Sequence, residues 1–517
     1  MLGQIGDIEG TFPVRWDGRA YREPVPTVEP RVPNTVLIDL RERAGLSQQD
    51  LADELTNLAA SRHDKYPQIT PKTVGRWERG EVLWPQPFYR RLLAEFFGCA
   101  GDELGFRRPG PVRSKQDQPE ALPVPLTFAT SPAAAEPHVE HGQDEWRQIR
   151  SALGRRRRDL AVLAESLYRD HRIPGLKNTG AISLPAWIPA EPVPLDKITL
   201  TLDSVVAEPT VTGEEPESAP VRPLATIDAR YRRYHDAIRD LAAPRLFENR
   251  LCFRLLGLDW TQPRMSFGQM GFFDAVDTNE ALAHEFAARH LAIDGDSEAV
   301  MPRASMRRLT FRKLIADPFD LSRRPLMGAI GTLTIRAGDS PSVVLHQRDS
   351  ARVAGGGGMV HLLPAGIFQP SSVIPAAVAA DFSLWRNIQR EYAEELLGHD
   401  EYDGSGRPIQ YDKLEPFTRM DEALHDGRIR VFCLGVTLDA LTLAGDILTV
   451  AIIAPDTYDE LFANAVETNP EGSMPARAFP FEENTLTWLA ESRRLSPGAA
   501  AALHLAWSNR KLLGVVR

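Results

Sequence analysis

Cysteine is nearly missing from this chain. The three that occur in 517 residues, Cys99, Cys252 and Cys433, lie far apart without CxxC spacing, which excludes a disulfide framework and a cysteine-based zinc site. Lysine is scarce too, with eight residues, so arginine carries the basic charge; with abundant Ala and Pro, this fits a GC-rich bacterial genome. There is no positive excess: 60 Lys and Arg stand against 70 Asp and Glu, a net charge of −10. That excludes a protein that coats nucleic acid along its length and makes any DNA contact local. No apolar run reaches eighteen residues, and the start Met-Leu-Gly-Gln-Ile-Gly-Asp has neither a basic region nor an apolar stretch. No membrane partner is therefore expected, and the expected location is cytoplasmic. The twelve histidines are scattered without metal spacing, which leaves them ordinary surface or core roles. What remains is a globular composition, 43% apolar and 25% charged, in a chain long enough for about three domains.

Sequence texture divides the chain further. Residues 1–33 hold five prolines and no sustained periodicity and read as a tail or arm. A helical domain is expected over 34–108 and a Pro/Ala-rich linker over 109–142. A helix and Pro-rich connector follow over 143–224, then an α/β domain over 225–470, and two short helices over 471–517. In the connector, Trp146, Ile149, Leu153, Leu160, Leu163 and Leu167 form a stripe at helical spacing over about twenty-five residues. The run Arg155–Arg158 reads as charge in solvent. Two uses of the stripe stand: packing on its own chain, or pairing with a second copy. From Ala225 onward strands and helices alternate. Strands are expected at Lys197–Leu202, Leu251–Leu256, Leu326–Ile335, Val343–Gln347, Val360–Leu363, Ile429–Leu438 and Ile447–Ile453, and helices at Ala229–Ala242, Glu280–His290 and Leu384–Leu397. Gly355–Gly358 reads as a hairpin loop, because no helix follows it to cradle a phosphate.

The most specific signal lies between Asn34 and Arg108. Ser47 and Thr70 are N-caps, Pro71 occupies a first helical position, and Gly45 and Gly80 are stops. Leu51, Ala52, Leu55, Val74 and Trp77 recur at helical spacing, so several short helices surround one small core. Basic and acidic residues number 11 each across this stretch, but between Lys65 and Arg91 the balance is six to two. The pattern Leu-Ser-Gln, Leu-Ala, then Thr-x-x-x-x-x-x-Trp-Glu-x-Gly resembles the Xre/Cro-type helix-turn-helix family. That resemblance makes Pro71–Arg79 the helix that enters the major groove of a double-stranded DNA operator. It places Gln48 on the phosphate backbone, Thr70 at the helix start, and Pro71, Lys72, Thr73 and Arg76 toward the bases. Lys72 and Arg76 can donate to guanine O6 and N7. Trp77 and Glu78 read as structural. Asn57–Ile69 departs from the family as an insertion of about a dozen residues, either lengthening the first helix of the motif or forming an arm.

A second constellation is Leu363-Pro-Ala-Gly-Ile-Phe followed by Arg390-Glu-Tyr-Ala-Glu-Glu-Leu-Leu-Gly398. Glu391, Glu394 and Glu395 stand at i, i+3 and i+4 and converge on one side of a helix. Such an oxygen-rich cluster suits Mg²⁺ or Mn²⁺. The segment resembles the Nudix box in its second half. In its first half Ser372 occupies the position expected to hold glutamate, Asp381 is the only acid before the helix available as a substitute, and Gly398 comes one residue late. The resemblance implies an α/β/α fold, a nucleoside-diphosphate type of ligand, and metal held by Glu391, Glu394 and Glu395, the same residues being catalytic if the box is active. With one glutamate missing, the expectation is ligand binding without turnover.

The whole is thus expected to be multidomain: an all-α helix-turn-helix N-terminal domain, a helical linker, and a Nudix-like α/β domain with terminal helices. The corresponding function is a DNA-binding transcription regulator, homodimeric on its operator, whose α/β domain senses a nucleotide-type small molecule. A metal-dependent hydrolase of nucleoside diphosphate derivatives with an accessory DNA reader is the alternative, and a pure dimer or partner scaffold a third.

Overall fold

The computed structural model describes residues 33–63, 69–80, 82, 85, 87–97, 99, 103–106, 137–244, 247–294, 297–347, 359–399, 408–463, 465, 468–469, 472–473, 477–491 and 495–515. The tail 1–32, most of the Pro/Ala-rich linker and the glycine run Gly355–Gly358 lie outside these residues. Two compact units divide at Glu120 and Ala121.

The first unit is helical. Helices α1 (Thr35–Arg43), α2 (Gln48–His63), α3 (Pro71–Glu78) and α4 (Pro87–Phe97) enclose a core of Leu37, Leu51, Ala52, Leu55, Val74, Trp77, Leu92 and Leu93. Each start has a local cause. Asn34 accepts from the Leu37 N–H at 3.2 Å, Ser47 accepts from the Asp50 N–H at 3.1 Å and Asp50 answers the Ser47 N–H at 2.8 Å. These side chains take up amide donors that a helix start otherwise leaves unpaired. Gly45 and Gly80 end α1 and α3 at positive φ, 71° and 68°, where a side chain would be strained. α2 runs sixteen residues and continues past Asn57 to His63, while 64–68 lie outside the described residues.

The second unit is a mixed α/β body. It begins with α5 (Pro137–Glu165), so the helix starts within the segment expected to be linker. The strands that matter are β1 (Ala181–Ile182), β2 (Thr199–Leu202), β3 (Leu251–Asp259), β4 (Arg264–Gly271), β5 (Gly328–Arg336), β6 (Ser342–Gln347), β7 (Val360–Leu362), β8 (Ala365–Ile367), β9 (Ile429–Asp439), β10 (Gly445–Ile453) and β11 (Arg477–Pro480). The main sheet runs β1-β9-β10-β5-β6-β7, with β8 also on β5 and β11 also on β6. Hairpins join β5 to β6 and β9 to β10, whereas β5 and β10 are parallel from Gly328↔Gly445 to Arg336↔Ile453. Their residues are buried almost continuously, as in sheets covered on both faces. On one face Leu333, Ile335, Leu448, Val450 and Ile452 pack with the helix Pro497–Ser508. On the other, Ile330, Ile447, Ala451 and Ile453 share a core with Ile388, Tyr392 and α5. A smaller sheet, β2-β4-β3, completes the unit.

One open alternative is decided here and two sequence expectations are corrected. The stripe on α5 packs on its own chain: Trp146, Leu153 and Leu160 are at most 4% exposed, and the Trp146 indole donates to the Val221 carbonyl at 3.0 Å. The arginine run is not in solvent as a whole, since Arg157 pairs with Glu280 at 2.6 Å and buried Arg158 donates to the Asn178 carbonyl at 2.8 Å. The helix expected at Ala229–Ala242 spans only Tyr234–Leu241. Asp277 accepts from the His235 N–H and ring at 2.8 Å each, pinning the first turn there, while Ala229–Arg230 pairs as a short strand with Leu224–Thr226.

Candidate functional site

In the helical unit the site is built around the start of α3. The Thr70 hydroxyl accepts from the Thr73 N–H at 3.2 Å, and the Thr73 hydroxyl faces back to the Thr70 N–H at 3.5 Å. Pro71 fills the first turn, where its missing N–H leaves nothing unpaired. Beneath the helix the Glu78 carboxylate accepts from Arg41 Nε and from Gln48 Nε2, both at 2.6 Å. Arg41 also donates to the Leu46 carbonyl at 2.7 Å, tying α1, α2 and α3 together. Trp77 and Glu78 are 3% exposed each. Lys72 and Arg76 lie one turn apart and are exposed, so they share a face that the core does not use.

The six residues read as DNA-contacting are thus divided. Lys72 and Arg76 extend outward, Thr70 and Thr73 are half-buried in the cap, Pro71 is half-buried beside them, and the Gln48 amide is engaged by Glu78. Sequence reasoning passed over Arg79, also exposed, whose guanidinium approaches Gly75 so closely that a Cβ there would lie 2.8 Å from it. Its spacing from Arg76 was the available signal.

In the α/β unit the helix Leu384–Glu391, capped by Ser383, continues through one wider turn, Tyr392–Leu396. Arg390 points inward. It donates to the Tyr411 hydroxyl at 2.8 Å, to Asn387 Oδ1 at 2.9 Å and to the Gln369 carbonyl at 2.5 Å, and pairs with Asp381 at 3.3 Å. Burial pushes the Arg390 pKa down, but Tyr411 and Asp381 more than offset this and raise it. Asp381 in turn accepts from the Ser371 N–H at 2.7 Å and the Tyr411 hydroxyl at 2.6 Å. Asp381 therefore belongs to the support beneath the helix and does not stand in for the missing glutamate. Ser372, at that position, is buried and accepts from the Ile374 N–H at 3.3 Å.

Two of the three glutamates meet β8, and they do so differently. Glu395 is buried and accepts from the Ala365 N–H at 3.0 Å. Glu391 lies against Gly366 so tightly that a Cβ there would fall 2.0 Å from its carboxyl, so a side chain at this position would displace the Glu391 carboxylate. Glu394 is half-buried. Compared with models of known protein families and with curated protein sequences, the chain matches none. Carboxylate oxygens are suitable donors for Mg²⁺ or Mn²⁺, yet among the described residues no three His, Cys, Asp or Glu side chains are gathered as a metal-holding group. Glu391, Glu394 and Glu395, as they stand, are not gathered into such a group.

Proposed function

We propose that this chain is a sequence-specific DNA-binding regulator, in which α3 reads a double-stranded operator and the α/β unit binds a nucleotide-type effector. The observation that carries the reading is the division of labour on α3: Thr70, Thr73, Trp77 and Glu78 hold the helix in place, while Lys72 and Arg76 stand together on its exposed face. A pre-set helix with two outward cations suits guanine edges in a major groove. Readers of this type engage two-fold operators as dimers, so a homodimer on DNA is part of the proposal, and sedimentation of the full chain with and without operator tests it; a monomer in both conditions removes it. The effector changes DNA affinity only if it binds two states of the protein unequally.

The main test uses an operator selected from random duplexes by the full chain. Arg76→Ala is expected to weaken binding to it by about 1–3 kcal/mol and to relax one base position. Equal weakening on random DNA would place Arg76 on phosphate and end the base-reading role.

A second reading, hydrolysis of nucleoside diphosphate derivatives, is favoured by one observation: Glu391 and Glu395 both face consecutive residues of β8. The expected outcome is little or no release of phosphate or mononucleotide from ADP-ribose-type compounds with Mg²⁺ or Mn²⁺. Turnover of about 1–1,000 s⁻¹, abolished by Glu394→Gln or Glu395→Gln, would replace the effector reading with the enzymatic one.

A further inference from the structure

The α/β unit contains a cavity of about 670 Å³ between α5, the segment that follows it, and residues near Pro302. That volume falls in the range of small-molecule sites, roughly 300–1,000 Å³. Its lining holds four arginines, Arg158, Arg169, Arg172 and Arg303, against one carboxylate, Asp159. Asp159 is turned to Arg156, on the same helix, at 3.7 Å.

Two of the four guanidinium groups are held from behind. Arg158 is buried and donates to the Asn178 carbonyl at 2.8 Å. Arg172 is paired at 2.7 Å with Glu165, a carboxylate fully buried and further occupied by the Thr179 and Gly180 N–H groups at 2.8 Å each. The other two, Arg169 and Arg303, are exposed at the rim and form no ion pair with any described residue. Leu163 and Met301 add an apolar wall. Fixed guanidinium groups in a partly apolar hollow favour oxyanions, which they bind by two parallel N–H donors, over neutral or cationic ligands.

We infer that this cavity is the binding site for a phosphorylated small molecule with an apolar or planar body, of the mononucleotide or nucleoside diphosphate class, held by Arg158, Arg169, Arg172 and Arg303 without a metal ion. From the proposed function it takes only that the unit binds an anionic effector. Its lining includes none of Glu391, Glu394 and Glu395, so the two locations can be told apart.

The test is calorimetric titration of the full chain with inorganic pyrophosphate, ADP and adenosine, in EDTA and again with Mg²⁺. ADP and pyrophosphate are expected to bind in EDTA, more weakly as salt rises, and adenosine is expected not to bind. Arg169→Ala and Arg303→Ala are each expected to lower ADP affinity about tenfold or more, with unchanged melting temperature, because each removes one charge-assisted contact at an exposed position. Binding that survives both substitutions overturns the inference, as does the absence of binding by either phosphate compound. Binding that requires Mg²⁺ and is lost in Glu395→Gln also overturns it while leaving the effector reading intact. ADP binding lost in Arg303→Ala, but with operator affinity unaffected by ADP, supports the cavity and removes the effector role from the proposed function, leaving DNA reading untouched.

Discussion

Each unit rests its marked helix on a buried pair of arginine and carboxylate, and the two pairs differ in depth. In the helical unit Glu78 on α3 meets Arg41 from α1 at 2.6 Å, with side chains 4% and 12% exposed. In the α/β unit Arg390 on the marked helix meets Asp381 at 3.3 Å, with side chains 4% and 0% exposed. The first pair borders solvent and shares its acid with Gln48; the second is enclosed and leans on Ser371 and Tyr411. In the α/β unit Asp381, which the sequence offers as a substitute acid in the box, serves as support; in the helical unit Glu78 is the structural residue it reads as. Depth sets the cost of removing the support, because a charge left alone in the interior cannot be rehydrated.

The largest effect expected from this contrast belongs to Arg390→Met, which strands the Asp381 carboxylate. It should cost about 3–5 kcal/mol in the urea transition of the α/β unit. A loss below about 1 kcal/mol would show that Ser371 and Tyr411 suffice and that depth is not decisive.

A third buried network tests depth by titration. His284 bonds the Tyr234 hydroxyl at 2.9 Å and stacks on Trp146 with ring centres 5.4 Å apart. Burial, aided by Arg150, lowers its pKa from 6.5 to about 3. The folded state therefore keeps His284 neutral while the unfolded chain takes up a proton below pH 6.5, so the associated stability is present above that pH and is lost as pH falls toward 3. The slope is about 1.4 kcal/mol per pH unit, or about 2 kcal/mol between pH 6.5 and 5. Burial pushes Glu280 upward, but Arg157 and Arg150 hold it at about 2, down from 4.5, so its own loss sets in as pH falls through the ordinary carboxylate range toward 2, below the interval from pH 6.5 to 5. Urea midpoints at pH 6.5 and 5 should differ less in His284→Gln than in the natural chain. Equal differences would refute a neutral His284.

The smallest of the three is Glu78→Gln. It removes the charge but keeps an acceptor for Arg41, and should cost about 1–2 kcal/mol in the helical unit. A loss as large as that of Arg390→Met would erase the contrast.

The helical unit was legible because its signals are local. Thr70, Pro71 and Gly80 act within a turn of where they stand, and Val74 and Trp77 show their face by spacing alone. The strands of the main sheet were legible from their β-branched runs, with ends shifted by a few residues. What escaped depended on distant partners. β4 was overlooked because Arg264–Gly271 lacks β-branched residues, although Met265 and Phe267 alternate correctly and are buried. Arg155–Arg158 was placed in solvent because Glu280, Glu298 and Asn178 could not be foreseen beside it. The cavity was invisible for the same reason, since Arg303 joins Arg158, Arg169 and Arg172 only through the fold. At the glutamate helix, Glu391, Glu394 and Glu395 shared a face in the sequence, but the seating of Glu391 on Gly366 and of Glu395 on Ala365 depends on a strand some twenty-five residues earlier.

The parallel ladder between β5 and β10 also limits how the chain can be cut. Thr332 and Thr449, whose hydroxyls meet at 2.8 Å, are 117 positions apart, and everything between them, including Arg390 and its glutamates, hangs from that closure. A truncation ending before Gly445 would leave β5 with a bare inner edge bearing Ile330, Leu333 and Ile335, a template for self-association. Long-range closure of this kind forms late and slowly. During synthesis, the stretch from Gly328 therefore emerges well before the strand that covers its inner edge.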